Sequence, residues 1–372
     1  MGWHQPIDLT TKFGAPEIIG RPACYVYAQY TQNIIYVGWG LTVGPNGLIH
    51  QLRWENNAWH HKVLIHEAGA PPVFADQVRA YLHSATGTQH VVYLGRDTQG
   101  QSDNQVHELY AYGNNKWHHH NLTTAVAGGA PLARTTPTGY EFRNLQHVVY
   151  QGIDGHIYEL WHDSNGWHVN DLTNAPVMAD GPLTARVFAD TQHITFRGTD
   201  AHIHELWWDS SGWHQADLTV ASQAPINPFA GPSGALTNYV FAAQRTQHIN
   251  YLGIDDHIHE LWSDSSGWHH NDLTLRTRAQ SGGRPSGYVF KDEGTQHVVY
   301  KGQDPLEDTH IHELWWDNSG WHHNDLTPAA SLAQAAGGDP TGYEFTPTPG
   351  QSTQHVIYAN RAHHILELKW TP

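Results

Sequence analysis

The chain has 372 residues, with 19 Lys and Arg against 35 Asp and Glu, a formal net charge of −16. That balance argues against nucleic acid and anionic membrane as partners, because both attract cationic surfaces. The 16 Trp, 17 Tyr, 32 His and 35 Gly are far from a disordered composition, no apolar run could span a bilayer, and the single cysteine, Cys24, excludes an internal disulfide.

The chain opens on GWHQPIDLT (2–10), which lacks the basic stretch and apolar core of a secretory signal. Cys24 follows in an apolar run. It reads as a small packed residue, and an intermolecular disulfide would require its exposure in an oxidising compartment. Three landmarks then recur. A Gln precedes an apolar run at Gln32, Gln89, Gln146, Gln192, Gln247, Gln296 and Gln354. Gln51, Glu108, Glu159, Glu205, Glu260, Glu313 and Glu367 are each followed by Leu. Trp3, Trp59, Trp117, Trp167, Trp213, Trp268 and Trp321 are each followed by His. Six intervals separate Gln32 from Gln354, a mean period of about 54 residues, in the range of propeller blades rather than helical repeats.

Each unit divides into four short strands. GYEF (139) or NYVF (238) stands for the first, QHVVYQG for the second, HIYELWH for the third and GWHVNDLT for the fourth. The runs alternate, carry β-branched and aromatic residues, and are bounded by Gly, Asp, Asn and Pro. Asp-Ser-Ser-Gly between the third and fourth strands predicts a tight hairpin, with an Asx turn at Asp and positive φ at Gly. The longer links between units, rich in Ala, Pro and Gly, read as surface connections. No stretch shows sustained helical periodicity. The last unit stops at HHILELKWTP, without its own GWHxxDLT. The orphan phrase at the start supplies it, closing a ring without a free sheet edge. These features predict an all-β fold: one seven-bladed β-propeller over residues 1–372, four antiparallel strands per blade, closed by the N-terminal strand.

Blades pack on both faces, so each repeated Glu needs hydrogen-bond partners, and Gln51 keeps an acceptor oxygen in the same place. The first aromatic of the third strand varies: Trp161, Trp207, Trp262 and Trp315 in four units, Tyr110, Arg53 and Lys369 in the others. The next position varies too, with Trp54, Trp208, Trp316 and Trp370 against His162, Ser263 and Ala111. Such positions are free to serve function. Indole platforms beside Glu, Asn and His suit the apolar face and hydroxyls of a sugar ring, and several weak sites on one ring would give avidity. A hydrolase is disfavoured, since catalysis needs one singular constellation and this pattern is sevenfold. The order Asp-x-x-Gly-Trp also differs from the sialidase order Asp-x-Gly-x-x-Trp. The pairs His202/His204 and His257/His259 and the run His118 to His120 are read as structural, so no metal and no cofactor is expected. Many buried neutral His predict acid lability near pH 5.

The phrase HIHELWWDSSGWHHNDLT, the TQHVVY step and the split last blade together resemble the bacterial seven-bladed propeller lectins of Photorhabdus, across the whole chain. The resemblance implies a non-enzymatic, multivalent lectin for L-fucose and O-methylated sugars on cell-surface glycans, with sites in Trp-lined clefts between blades. It implies homo-oligomers and a protein made in the cytoplasm and released without a Sec signal. The expected carbohydrate-binding residues are Trp161, Trp207, Trp262, Trp315, Glu159, Glu205, Glu260, Glu313, Trp167, Trp213, Trp268 and Trp321. Arg53, Tyr110 and Lys369 weigh against the clefts beside the first, second and last blades, so fewer than seven working sites are expected. The alternative is a non-catalytic propeller scaffold that binds protein.

Overall fold

The computed structural model describes residues 2–28, 30–40, 45–74, 77–113, 116–173, 178–226, 236–277, 279, 283–302, 310–327, 336–348 and 350–372. Seven antiparallel sheets follow one another along the chain, each paired in sequence order. The fourth blade shows the plan: Thr184–Phe188, Thr191–Arg197, Ile203–Asp209 and Gly212–Asp217. First strands of neighbouring blades pack on one another, which makes them the inner wall of the ring. The result is a seven-bladed propeller.

Closure is as the split last unit predicts. Gly2 and Trp3 pair with Thr371 and Trp370, and Ile7 and Asp8 pair with Glu367 and Leu366. The start of the chain is thus the outer strand of the seventh blade, in two short pieces. The predicted hairpins are present as well. Asp209 pairs with Gly212 around a two-residue turn, Asp209 Oδ1 accepts from Ser211 N at 2.8 Å, and Gly212 has φ of 120°.

Blades are stitched to their successors by buried hydrogen bonds. The Tyr of an inner strand donates to the Gln of the next blade's second strand. This occurs at Tyr25 to Gln89 (2.8 Å), Tyr140 to Gln192 (2.9 Å), Tyr239 to Gln296 (2.9 Å), Tyr288 to Gln354 (2.8 Å) and, across the closure, Tyr343 to Gln32 (2.8 Å). In the fourth blade Arg186 Nε replaces the phenol and reaches Gln247 at 2.7 Å. The same tyrosines explain the Gly of the GY phrase. A Cβ at Gly139, Gly287 or Gly342 would fall within 2.4 Å of the preceding blade's Tyr ring, closer than carbon atoms can approach.

One expectation needs correcting. The DLT phrase does not continue the outer strand. Strands end at Asp, or at Asn121 in the second blade, and short helices follow at Leu9–Phe13, Leu122–Ala125, Leu218–Ser222 and Leu273–Thr277. Asp8 and Asp217 are N-caps, accepting from Thr11 N (2.8 Å) and Val220 N (2.9 Å). At four or five residues, these helices are too short for a periodic signal, and only the capping chemistry marks them. The phrase has three separate tasks. Its Leu is fully buried (Leu9, Leu122, Leu218, Leu273). Its Thr hydroxyl accepts the first N–H of the third strand, as at Thr219 to Ile203 (2.8 Å) and Thr274 to Ile258 (2.7 Å). Its Asp holds a His of the preceding turn, as at Asp217 to His202 (2.6 Å) and Asp272 to His257 (2.8 Å). Much of the Ala-, Pro- and Gly-rich linking sequence, including 227–235 and 328–335, lies outside the described residues. Cys24 is partly buried on an inner strand and packs against the apolar core of the closure, where burial pushes its thiol pKa up.

Removing residues 1–8 should expose the edge of Ile365–Thr371 and cost on the order of 5 kcal/mol from lost ladder bonds and apolar burial. Urea unfolding and gel filtration check this: the midpoint falls and the truncated chain self-associates. An unchanged midpoint would mean that the ring is stable without its clasp.

Candidate functional site between blades

Side chains alternate along each strand, so every blade has two faces. One carries the repeated Glu, the first Trp of the third strand, and the His of the Trp-His step. The other carries the Gln of the second strand, the second aromatic of the third strand, and the Trp of the Trp-His step. Tyr140 on the third blade reaches Gln192 on the fourth, and Trp3 on the seventh reaches Glu313 on the sixth. The Glu face of one blade therefore meets the Gln face of the next, and each cleft draws on two repeats.

The cleft between the sixth and seventh blades shows the full arrangement. A cavity of about 600 Å³ is lined by Glu313, Trp315, Asn324, Trp370 and Trp3. Glu313 is buried and accepts from His297 Nδ1 (2.8 Å), Asn324 Nδ2 (2.9 Å) and Trp3 Nε1 (3.3 Å). A carboxylate only accepts, so His297 carries its proton on Nδ1 and takes a hydroxyl hydrogen on Nε2 from Thr295, at 2.7 Å. Trp315 lies on His322 with ring centres 4.2 Å apart, and His322 is tied to Asp317 (3.0 Å) and Ser319 (3.0 Å) of the hairpin. The indole is thus fixed by contacts within its own blade. Its N–H is buried without a partner.

The same arrangement recurs twice. Between the fifth and sixth blades, Trp262 and Asn271 face Trp316 and Trp321 across about 500 Å³. Glu260 accepts from Asn271 (2.8 Å) and His248 (2.9 Å), and Trp262 stacks on His269 at 4.3 Å. Between the third and fourth, Glu159 accepts from Asn170 (3.0 Å) and His147 (2.8 Å), and Trp161 stacks on His168 at 4.2 Å. Trp208 and Trp213 line the opposite wall against Phe142 and its neighbours. In both clefts the indole N–H, of Trp262 and Trp161, is again buried and unpartnered.

The other four depart from this pattern. Beside the fourth blade, Ala216 replaces the Asn, Ser263 replaces the facing Trp, and Arg186 pairs with buried Glu205 and lies 5.8 Å over Trp268. Trp207 there stacks on His214 more loosely, at 5.0 Å. Beside the first blade, Arg53 is paired with Glu55 and the facing Trp117 is 2% exposed. Beside the second, Tyr110 packs against His118 and His120, opposite His162 and Trp167. Across the closure, Lys369 and Ile7 face Trp54 and Trp59 around about 470 Å³.

Of the residues singled out from sequence, the complete clefts gather Trp161, Glu159 and Trp213; Trp262, Glu260 and Trp321; and Trp315 with Glu313. Trp207, Glu205 and Trp268 sit in the cleft with Arg186, and Trp167 lines the one beside the second blade. Sequence reasoning missed Asn170, Asn271 and Asn324, and the pairing of walls that brings in Trp3, Trp208, Trp316 and Trp370. The Asn-Asp step of the outer strand was a usable signal, because Ala216 breaks it. The His pairs read as structural are each held by carboxylates, His204 by Asp200 (3.0 Å) and His259 by Asp255 (3.0 Å).

No protein-family model and no curated protein sequence matches the chain. Solved structures do. The BP39L lectin from Burkholderia pseudomallei superposes with a TM-score of 0.70 at 12% identity, over 94% of this chain and 95% of that one. The chain folds like propeller lectins. SapL1 lectin, solved with alpha methyl fucoside, gives 0.52 at 17% identity over 84% and 99% of the two chains. The fucose-recognising six-bladed lectin of Aleuria aurantia gives 0.53 at 13% identity, covering 85% of this chain and 100% of its own. Six blades of seven account for that share.

The histidines define a pH response. Burial and the neighbouring His61 hold His50 at about 4, and burial and His107 hold His119 at about 4. Burial also lowers His61, His107, His162 and His270. Above pH 6.5 these rings are neutral folded or unfolded. Below it the unfolded chain takes up protons that the folded one refuses, so stability is lost as pH falls from 6.5 towards 4. The shift at His50 alone corresponds to about 3 kcal/mol. Burial would raise the Glu108 carboxyl, but hydrogen bonds from His120, His90 and Tyr81 outweigh it and hold it at about 2. Its contribution is present above pH 4.5 and fades as pH falls towards 2. Exposed His156 runs the other way, raised by Asp171, with little weight at the surface. The melting temperature should be flat from pH 8 to 7 and drop steeply from 6.5 to 4. Scanning calorimetry across that range decides it, and a flat profile down to pH 5 would contradict the assignment.

Proposed function

We propose that the protein is a non-enzymatic, multivalent lectin that holds fucosylated or O-methylated glycans in the clefts between its blades, acting outside the cell on glycan-coated surfaces. The observation that carries this reading is the set of three equivalent clefts, each with a clamped indole, its unpartnered N–H, a carboxylate–amide pair and two facing tryptophans. A deoxy-sugar methyl or a methoxy group suits the indole faces. Sugar hydroxyls suit the Asn amides and the carboxylates beside them. A further cavity of about 960 Å³, lined by Phe188 of the fourth blade and Val240 and Trp262 of the fifth, leaves room for a longer glycan. The likeness to BP39L and SapL1 supports the same reading at the level of fold. Spacing several weak sites around one ring converts millimolar or micromolar contacts into avidity at a surface.

Titration with methyl α-L-fucoside, and with an O-methylated fucoside, should fill three sites per chain. Replacing Trp161, Trp262 or Trp315 by Ala should each remove one site, or weaken it at least tenfold, with the other two intact. Trp207→Ala should leave the count unchanged. Calorimetry gives the stoichiometry, and a glycan array gives the preference. A folded protein that binds no glycan on a dense array would instead favour a protein-binding scaffold.

A further inference from the structure

The cleft between the fourth and fifth blades departs from its neighbours in one more way. Elsewhere the Phe that ends an inner strand is covered by the second tryptophan of the next blade's third strand. Phe142 meets Trp208 edge to face with ring centres 5.8 Å apart, and Phe290 meets Trp370 in the same way at 5.4 Å. Across the closure, Phe345 packs in one core cluster with Trp54. Phe142, Phe290 and Phe345 are accordingly buried. In the fourth blade the corresponding ring is Phe188, and the residue in the covering position is Ser263. Ser263 pairs with Gln247 as Trp208 pairs with Gln192 and Trp370 with Gln354. Phe188 is left partly exposed, and Val187 beside it is exposed.

The two blades do not close over the gap, because Arg186 holds Gln247 across the cleft at 2.7 Å. What remains is the cavity of about 960 Å³, lined by Phe188, Val187 and Ala189 of the fourth blade and by Val240 and Ala242 of the fifth. The residues on either side of Ser263 border it as well. Val187 and Val240 occupy the position that Glu141 and Glu344 hold in the third and seventh blades. This part of the mouth therefore lacks two carboxylates as well as an indole. Its volume is that of a small-ligand pocket. Arg245 and Asp264 at the rim carry opposite charges, so the described lining has no net charge to call for an ion. Atoms lining a void forfeit their dispersion contacts, and water against apolar walls is readily displaced by an apolar group. An exposed phenyl edge is best met by the face of another aromatic ring.

We propose that this cavity is a second kind of ligand site, which binds a small, neutral, flat aromatic molecule whose ring takes the place of the missing indole against Phe188. It lies outside the three sugar clefts and does not depend on them. Indole itself is the probe. The full-length protein would be titrated calorimetrically with indole in the presence of excess methyl α-L-fucoside, which occupies the sugar clefts and their tryptophans. One indole per chain should bind, and at about ten times its dissociation constant it should raise the melting temperature by about 2 °C. Ser263→Trp puts the indole back on the chain, and should abolish that binding while leaving three fucoside sites. Phe188→Leu keeps the apolar volume and removes the ring. It should weaken indole at least fivefold, and it decides the matter if Ser263→Trp fails to fold. Cyclohexanol, of similar size but without a π face, should bind at least fivefold more weakly than indole. Absence of indole binding, or binding unchanged in either folded variant, would overturn the proposal. So would a fucosylated trisaccharide that loses affinity in Ser263→Trp when indole does not bind, since the cavity would then belong to the glycan. Indole binding retained by a protein that takes no fucoside would sink the lectin reading and leave this site standing.

Discussion

Six of the seven blades bury a carboxylate in the third strand, and much of the architecture follows from how that charge is satisfied. A buried carboxylate without partners costs several kcal/mol. Each is met by an imidazole on the adjacent strand, as at His90–Glu108 (2.8 Å), His248–Glu260 (2.9 Å) and His355–Glu367 (2.7 Å). The imidazole is usually fixed in turn by the Thr two residues before it, which explains the TQH phrase. Where Leu145 stands in place of that Thr, His147 Nε2 is left without a partner. The first blade changes both members together: Gln51 donates to Asn33 at 2.8 Å, a neutral pair where the others are charged. That joint change is what a hydrogen-bonded pair requires.

The same relay prepares the clefts. Glu313 uses one oxygen for His297 inside its blade and the other for Asn324 and Trp3 at the cleft, so the charge that locks the blade also polarises the site. The fourth blade shows the alternative. Arg186 replaces the inner Tyr, neutralises Glu205 directly and reaches Thr195 (2.7 Å) and Gln247 (2.7 Å). The stitch to the next blade survives, while the cleft loses its Asn and one tryptophan. Ring integrity and cleft chemistry therefore vary independently, and a repeat protein can keep its wheel while changing the number of its sites.

The same cleft illustrates a different use of variation. Repetition gives the inner strands of several blades a Phe for the next blade to cover, and Ser263 withdraws that cover from Phe188. Removing one side chain from a close-packed repeat leaves a void, because the surrounding structure relaxes only in part. Here the stitch from Arg186 to Gln247 holds the two blades apart at their usual spacing.

The sequence by itself determined the blade count, the four-strand plan, the hairpins with their Asx turns, and closure by residues 2–8. Each of these is local or periodic, and a period needs no tertiary contact to be read. It also marked the buried Glu and the variable aromatic positions. The short helices after Asp8 or Asp217 were not legible as helices, because one turn leaves no period. Only the tertiary structure decided which wall meets which. Residues of a single repeat, such as Trp161 and Trp167, lie on opposite faces of their blade, and each joins a different neighbour. A site is thus assembled from positions about one period apart, and its completeness depends on two repeats together. The room beside Phe188 was equally hidden, since the residue that fails to fill it, Ser263, belongs to the next repeat.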